Sequence, residues 1–305
     1  MTTASDPAVV CACPTNPIAM PPLVRRSVQM HRLQPDGSLA VIEQPRILAS
    51  EVPVALVFNG ISHAVMMATP QDLEELALGF ALSEGILDDA SDCHGIEINP
   101  VRDSAADLPD GMHGVEVLLE ISSRSFARLK QHRRSMAGRT GCGVCGVESF
   151  AALDLSFAPL PHQPWVAQIG LPEVLRAMHS LADKQLLNLQ SGGLHAAGWC
   201  GVDGTLLDVF EDVGRHNALD KLMGRLARSG RRHSPGFVIL SSRGSHELVR
   251  KCAKLGVAAM ATVSAPTSMG VRMAELTGMR LWGSCRATQG ILHSAGRGVD
   301  DCNAE

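Results

Sequence analysis

The segment Phe237-Val238-Ile239-Leu240-Ser241-Ser242-Arg243-Gly244-Ser245-His246-Glu247-Leu248-Val249 decides the fold. Four apolar residues read as a buried strand, a Ser/Gly-rich turn follows, and an amphipathic helix starts at Ser245 and runs to Leu255. The pattern then repeats. Ala258–Val263 is strand-like, Ser264-Ala265-Pro266-Thr267-Ser268 is a turn, and Ser268–Thr277 is helical. Working upstream, Gly214–Arg228 reads as a helix and Leu206–Phe210 as a strand. His195-Ala196-Ala197-Gly198-Trp199-Cys200 is a buried strand or a helix start, and Pro172–Gln190 is a long helical pattern. Strands alternating with helices predict a layered α/β domain over residues 151–290.

The first half differs. Leu39–Phe58 alternates apolar runs with Pro45 and Pro53, as strands joined by turns do. At Thr69-Pro70-Gln71-Asp72-Leu73-Glu74-Glu75-Leu76 a helix is expected, with Thr69 as N-cap and Pro70 at the first helical position. Leu73, Leu76, Ala77 and Phe80 supply its apolar stripe, and Gly85 its stop. Val115–Ile121 reads as a strand and Ser123–Arg134 as a basic amphipathic helix. A smaller, strand-rich α+β domain is therefore expected at 25–136. A mobile tail at 1–24, a Gly/Cys loop at 137–150 and a second tail at 291–305 complete the division.

The chain has 305 residues and a net charge of −4, so no basic excess points to nucleic acid. No apolar run reaches the roughly 18 residues of a membrane span. The N-terminus lacks the basic and apolar regions of a secretory signal. Nine cysteines, an odd number in a long chain, fit a reducing cytoplasm better than a disulfide framework. With aromatics at 3% and no tyrosine, the core must be aliphatic.

Four segments could carry chemistry. In Arg139-Thr140-Gly141-Cys142-Gly143-Val144-Cys145-Gly146, two thiols stand three residues apart with glycine on both sides of each. Arg133, Arg134 and Arg139 would favour the thiolate of Cys142, and the glycines would let the loop press against another surface. That suits a sulfur loaded in one place and delivered in another. A structural zinc site would need a second ligand pair, which is absent nearby. A thioredoxin-like pair would begin a helix, whereas here a helix precedes it.

Ser191-Gly192-Gly193-Leu194-His195 reads on its own as a helix-to-strand turn with His195 bonded to a backbone carbonyl. In Glu211-Asp212-Val213-Gly214-Arg215-His216-Asn217-Ala218-Leu219-Asp220-Lys221, Asp212 can cap a helix. Arg215, His216 and Asn217 in succession favour a ligand or partner contact. The turns at Ser241–Ser245 and Ser264–Ser268 place hydroxyls, backbone N–H groups and Arg243 at helix N-termini, as anion sites do. They are not Walker loops. Two such turns at strand ends suggest a phosphate-bearing ligand such as a nucleotide.

Taken in order, these segments closely resemble the FdhD family of sulfur-carrier proteins required for active formate dehydrogenase. The likeness also includes Asn59-Gly60, Met66–Leu76 and Ser83-Glu84-Gly85, and extends over about residues 40–283. It implies a cytidine-deaminase-like layered C-terminal domain and a homodimer. It implies that Cys142, assisted by Cys145, accepts sulfur from a cysteine desulfurase as a persulfide. The cargo it implies is a molybdenum or tungsten bis(guanine dinucleotide) cofactor destined for formate dehydrogenase, with no intrinsic metal. Residues expected to hold that cargo are Ser241, Ser242, Arg243, Ser245, Ser264, Thr267, His195, Arg215 and His216, with Ser284, Cys285, Arg286, Ala287, Thr288 and Gln289. Deaminase chemistry is excluded, because His195 is followed by Ala196-Ala197 rather than x-Glu. One departure stands out. The family has Gly-Phe-x-Arg and then a tyrosine, whereas this chain has Gly283-Ser284-Cys285-Arg286 and then His293. Two rival readings are a cofactor chaperone that moves no sulfur and a zinc-stabilised binding protein.

Overall fold

The computed structural model describes residues 20–101, 113–135 and 158–297. Strands β1 (Leu23–Leu33) and β2 (Leu39–Ala49) pair as a separate antiparallel hairpin. Next come β3 (Val52–Phe58), β4 (Ile61–Ala68), α1 (Leu73–Ser83), β5 (Cys93–Val101), β6 (Gly114–Ile121) and α2 (Ser123–Ser135). The four strands β3 to β6 form one sheet in the order β4-β3-β6-β5.

The second half contains α3 (Leu171–Lys184), α4 (Asn188–Ser191), β7 (His195–Cys200), β8 (Leu206–Asp212), α5 (Arg215–Arg228), β9 (Phe237–Leu240), α6 (His246–Lys254), β10 (Ala259–Thr262), α7 (Ser268–Thr277), β11 (Arg280–Arg286) and β12 (Gln289–Ala295). Its six-stranded sheet runs β12-β11-β10-β9-β7-β8, with β9, β10 and β11 parallel and β7 antiparallel to β9. The apolar run of β9 has a structural cause: helices cover both faces. Phe237 and Ile239 point to the core beside α3, while Val238 and Leu240 point to the core beside α5, α6 and α7. The mixed α/β expectation holds.

That second core continues into the first half. It takes in Leu56, Val117 and Leu119 of the four-stranded sheet and the buried residues of α1. Helix α1 carries no mere stripe, because Leu73 and every residue from Leu76 to Ser83 are buried. It lies against α5, and two glycines let the helices approach. A Cβ on Gly79 would strike the Asp220 carbonyl, and one on Gly224 the Glu75 carbonyl. Leu76 and Leu222 are fully buried in this core, each contributing on the order of 2 kcal/mol.

Several local expectations change. Helix α1 starts at Leu73, and Thr69 does not cap it. Thr69 is fully buried, donating its N–H to Asp212 Oδ2 at 3.0 Å and accepting the Val213 N–H on its hydroxyl at 3.3 Å. Gly85 does end the helix, with φ of 76°. The long helix expected over 172–190 breaks after Lys184. Glu211 draws the next turn away by accepting the N–H groups of Leu187 and Asn188 at 2.9 and 2.8 Å. His195–Cys200 is a strand. The chain stays in the sheet through Ala295, beyond the end expected at 290. Among the described residues no helix is long and apolar enough to cross a membrane.

Candidate functional site

Topology gathers the sequence-predicted segments. Because β7 runs opposite to β9, its start at His195 lies at the edge where β8, β9, β10 and β11 end. That edge carries Arg215 and His216, both serine turns and the β11–β12 tip.

The two βα turns support each other. Ser241 Oγ accepts the Ala196 N–H at 2.8 Å, tying the end of β9 to β7. The Ser264 N–H donates to the Ser242 carbonyl at 3.4 Å, and the Thr267 N–H to the Gly244 carbonyl at 3.0 Å. Ser242 is buried and donates its hydroxyl to the Arg243 carbonyl at 3.2 Å, while Arg243 is exposed. Thr267 is a genuine N-cap, since its Oγ1 accepts the Gly270 N–H at 3.1 Å. Ser245 occupies the same position on α6 but makes no cap bond. Its hydroxyl is buried and has no hydrogen-bond partner among the described residues.

The β11–β12 tip closes over the second turn. Arg286 donates from Nε to the Val263 carbonyl at 3.2 Å and from a terminal nitrogen to Ser264 Oγ at 3.3 Å. Ser284 and Ala287 have left-handed φ of 53° and 49°, which is strained for residues other than glycine. Arg286, Ala287, Thr288 and Gln289 are exposed. Cys285 departs from its predicted role. It faces the α3 core at 1% exposure, and burial pushes its thiol up to about 11. His293 packs against Gly283, and its buried Nε2 has no hydrogen-bond partner among the described residues.

His195 is half-buried opposite Asp212. Burial, then the charges of Arg215 and His216, lower its pKa from the ordinary imidazole value, so the neutral ring dominates at neutral pH. His216 Nε2 stands 2.7 Å from Glu247 Oε2, joining the starts of α5 and α6. Arg215 Nε is buried without a hydrogen-bond partner among the described residues. The rest of that segment is structural. Asp212 and Lys221, both fully buried, pair at 2.7 Å. Asp212 also accepts the Gly214 N–H and the Asn217 amide, at 2.8 and 2.9 Å. Asn217 reaches the Met67 carbonyl at 2.8 Å, so the cluster fastens β4 to α5.

A second cluster was not foreseen. Lys251 Nζ lies 2.8 Å from both Ser83 Oγ and Asp220 Oδ2, and 2.9 Å from Glu84 Oε1. Arg250 adds a contact to Glu84 at 3.1 Å. Burial alone would raise the pKa of Glu84, but Lys251 and Arg250 override it and hold the carboxyl at about 2. A pocket of about 230 Å³ opens beside the cluster, lined in part by Phe80, His216 and Glu247. The available signal was Lys251 three residues after Leu248, on the apolar face of α6.

Cys142 and Cys145 lie outside the described residues. Four other cysteines are described, all free. Burial raises the thiol pKa of each: Cys93, Cys200, Cys252 and Cys285. Among the described residues no group of three or more His, Cys, Asp or Glu side chains could hold a metal ion.

The sequence model of the FdhD/NarQ family matches residues 49–297. A relative from Burkholderia cenocepacia, named sulfur carrier protein FdhD, is 50% identical over 241 residues, covering 79% of this chain and 84% of its own. A protein of the same name from Chromobacterium violaceum is 51% identical over 248 residues, covering 81% and 88%. Among solved structures, a formate dehydrogenase accessory protein from Desulfotalea psychrophila is similar with a TM-score of 0.63 and 21% identity, over 90% of this chain and 97% of that one.

Proposed function

Because the chain belongs to the FdhD/NarQ family, we propose that it is a cytoplasmic sulfurtransferase that carries sulfane sulfur on Cys142. The donor is a cysteine desulfurase, and the acceptor is the guanine dinucleotide form of the molybdenum cofactor, on its way to formate dehydrogenase. The observation that carries this reading is the shared sheet edge. Ser245 keeps a buried hydroxyl with no hydrogen-bond partner among the described residues at the N-terminus of α6, beside a second helix N-terminus and Arg286. Such an arrangement suits the phosphates of a dinucleotide.

Loading is a thiol–disulfide-type exchange. The Cys142 thiolate attacks the terminal sulfur of the desulfurase persulfide. A new S–S bond forms on Cys142, the old one breaks, and the desulfurase leaves as a thiolate. For delivery, the Cys145 thiolate attacks Cys142 Sγ. A Cys142–Cys145 disulfide forms, and the outer sulfur departs as sulfide, the ligand handed to the metal of the cargo. A dithiol reductant then resets the pair. The four described cysteines support this assignment in the negative, because burial keeps them as thiols rather than nucleophilic thiolates.

Intact-mass measurement after incubation with desulfurase and cysteine tests the reading. The chain should gain one sulfur atom, and Cys142→Ser should lose that gain together with formate dehydrogenase activation. Full activation by a Cys142→Ala/Cys145→Ala chain would instead make the protein a cofactor chaperone.

A further inference from the structure

The pocket of about 230 Å³ beside Lys251 has no part in the reading above, yet it adjoins the same sheet edge. His216 and Glu247, which line it, belong to the first turns of α5 and α6. Glu247 stands two residues after Ser245, whose buried hydroxyl has no hydrogen-bond partner among the described residues. The space is smaller than the roughly 300–1,000 Å³ that encloses a whole drug-sized ligand. It suits one ring system, with the rest of the ligand lying outside along the edge.

The polar groups around the pocket are not equivalent. Lys251 Nζ is held by Ser83 Oγ, Asp220 Oδ2 and Glu84 Oε1 at 2.8, 2.8 and 2.9 Å. Glu84 gives its other oxygen to Arg250, and Asp220 accepts from Ser83 on Oδ1 and from Lys251 on both oxygens. These groups are spent on one another. Glu247 is different. Its Oε2 stands 2.7 Å from His216 Nε2, and its side chain keeps 16% exposure. No other hydrogen bond or ion pair of Glu247 is present among the described residues. The bond to His216 outweighs burial and lowers its pKa, so the carboxylate is charged at neutral pH.

A half-buried carboxylate with acceptor capacity to spare calls for N–H donors, because an unmet charged acceptor is costly. Val65, Met66 and Phe80 give the pocket an apolar side as well, against which the face of a flat ring can lie. A 2-amino-4-oxopyrimidine ring answers both demands. Its ring N–H and amino N–H point the same way, side by side, and match the two oxygens of a carboxylate as a guanidinium does. A carboxylate has about four lone-pair sites, so Oε2 can serve His216 and the ring together. Adenine and cytosine would set a bare ring nitrogen against Glu247, and uracil would set carbonyls there. A cationic ligand would meet Arg250, which also lines the pocket.

We propose that this pocket takes the 2-amino-4-oxopyrimidine edge of the ligand, and that Glu247 is the residue that selects it. Guanine carries that edge, and so does a pterin. The inference rests on the reading above in one respect: the ligand along the sheet edge bears a nucleotide. It does not depend on sulfur transfer.

Titration calorimetry of the full-length chain with guanosine, inosine and adenosine diphosphates tests it. Inosine diphosphate differs from guanosine diphosphate only in lacking the 2-amino group, so it should bind the natural chain more weakly by about tenfold or more. Adenosine diphosphate should bind no better than inosine diphosphate. In Glu247→Gln, which circular dichroism shows to be folded or not, the lead of guanosine diphosphate should disappear. The comparison of ligands on the natural chain needs no substitution and stands if that variant fails to fold. Neopterin separates the two sources of the edge. Neopterin binding that is lost in Glu247→Gln, with guanosine diphosphate unaffected, assigns the pocket to a pterin; a Glu247-dependent lead of guanosine diphosphate assigns it to guanine. A lead that survives in Glu247→Gln overturns the inference. So does equal affinity for the guanosine and inosine nucleotides without Glu247-dependent binding of neopterin. Binding of none of the four compounds would remove the ligand edge and this pocket together. Glu247-dependent selectivity in a chain that gains no sulfur on Cys142 would overturn the carrier reading and leave the pocket standing.

Discussion

Asp212 and Ser245 lie on one edge of the six-stranded sheet, and both are buried. Their surroundings differ. Asp212 accepts from Thr69, Gly214 and Asn217 and pairs with Lys221, whereas the Ser245 hydroxyl has no hydrogen-bond partner among the described residues. Leaving a buried polar group unpaired costs about 1–3 kcal/mol. Satisfied groups such as Asp212 bind the two halves of the molecule together. An unsatisfied one at a helix N-terminus is available to a ligand. Stability and ligand affinity should therefore separate when the two kinds of group are altered.

The largest effect is expected at the satisfied seam. Lys251→Met leaves Asp220 and Glu84 facing each other without their shared ammonium. Removing one partner of a buried ionic cluster costs about 3–5 kcal/mol. Urea denaturation should show that loss, with nucleotide affinity per folded molecule unchanged. A variant of native stability would break the comparison, because the ionic cluster would then not hold α1 to α6.

Glu84 sharpens the same point through pH. Burial opposes its ionisation, yet Lys251 and Arg250 hold its folded pKa at about 2 against an ordinary 4.5. Its contribution is complete above the ordinary value and disappears as the pH falls toward the folded value. The full difference corresponds to about 3 kcal/mol. Asp220 offsets part of it, since burial raises its pKa despite Lys251. Denaturation midpoints between about pH 5 and pH 2 should fall steeply for the natural chain and less steeply for Glu84→Gln.

How far these features could be read in the sequence follows from their range. The strand-turn-helix units at 237–255 and 258–277 were legible because each is encoded by local period and turn chemistry. The serine turns were legible for the same reason, and topology then set them side by side. Long-range partners were not legible. Thr69 looked like an N-cap because Pro and acidic residues follow it, but Asp212 and Val213, far along the chain, claim its polar groups. The break after Lys184 has a similar origin, in a carboxylate supplied by β8. Strand β11 escaped notice because Arg280, Gly283 and Arg286 interrupt its apolar pattern. Arg280 is accommodated by the carbonyls of Ile169 and Ala295 and by the ring of Trp282 beneath its guanidinium.

The smallest expected effects are the most discriminating, because they set matched positions against each other. Ser245 and Thr267 occupy the N-cap position of successive helices, after parallel neighbouring strands. Thr267 holds the Gly270 N–H, so Thr267→Ala should destabilise the fold by about 1 kcal/mol, the usual value of a cap. Ser245 holds no such bond, so Ser245→Ala should not destabilise the fold and, by removing a buried hydroxyl with no hydrogen-bond partner among the described residues, should stabilise it by about 1 kcal/mol or more. Affinity for guanosine diphosphate, measured by titration calorimetry, should show the larger change in Ser245→Ala. A hydrogen bond to a charged group contributes about 1.5–3 kcal/mol, so a loss of about tenfold or more is expected. Equal destabilisation by the two substitutions, with nucleotide affinity intact in Ser245→Ala, would mean that the Ser245 hydroxyl serves the fold. The edge would then lose the feature that marks it as a ligand site.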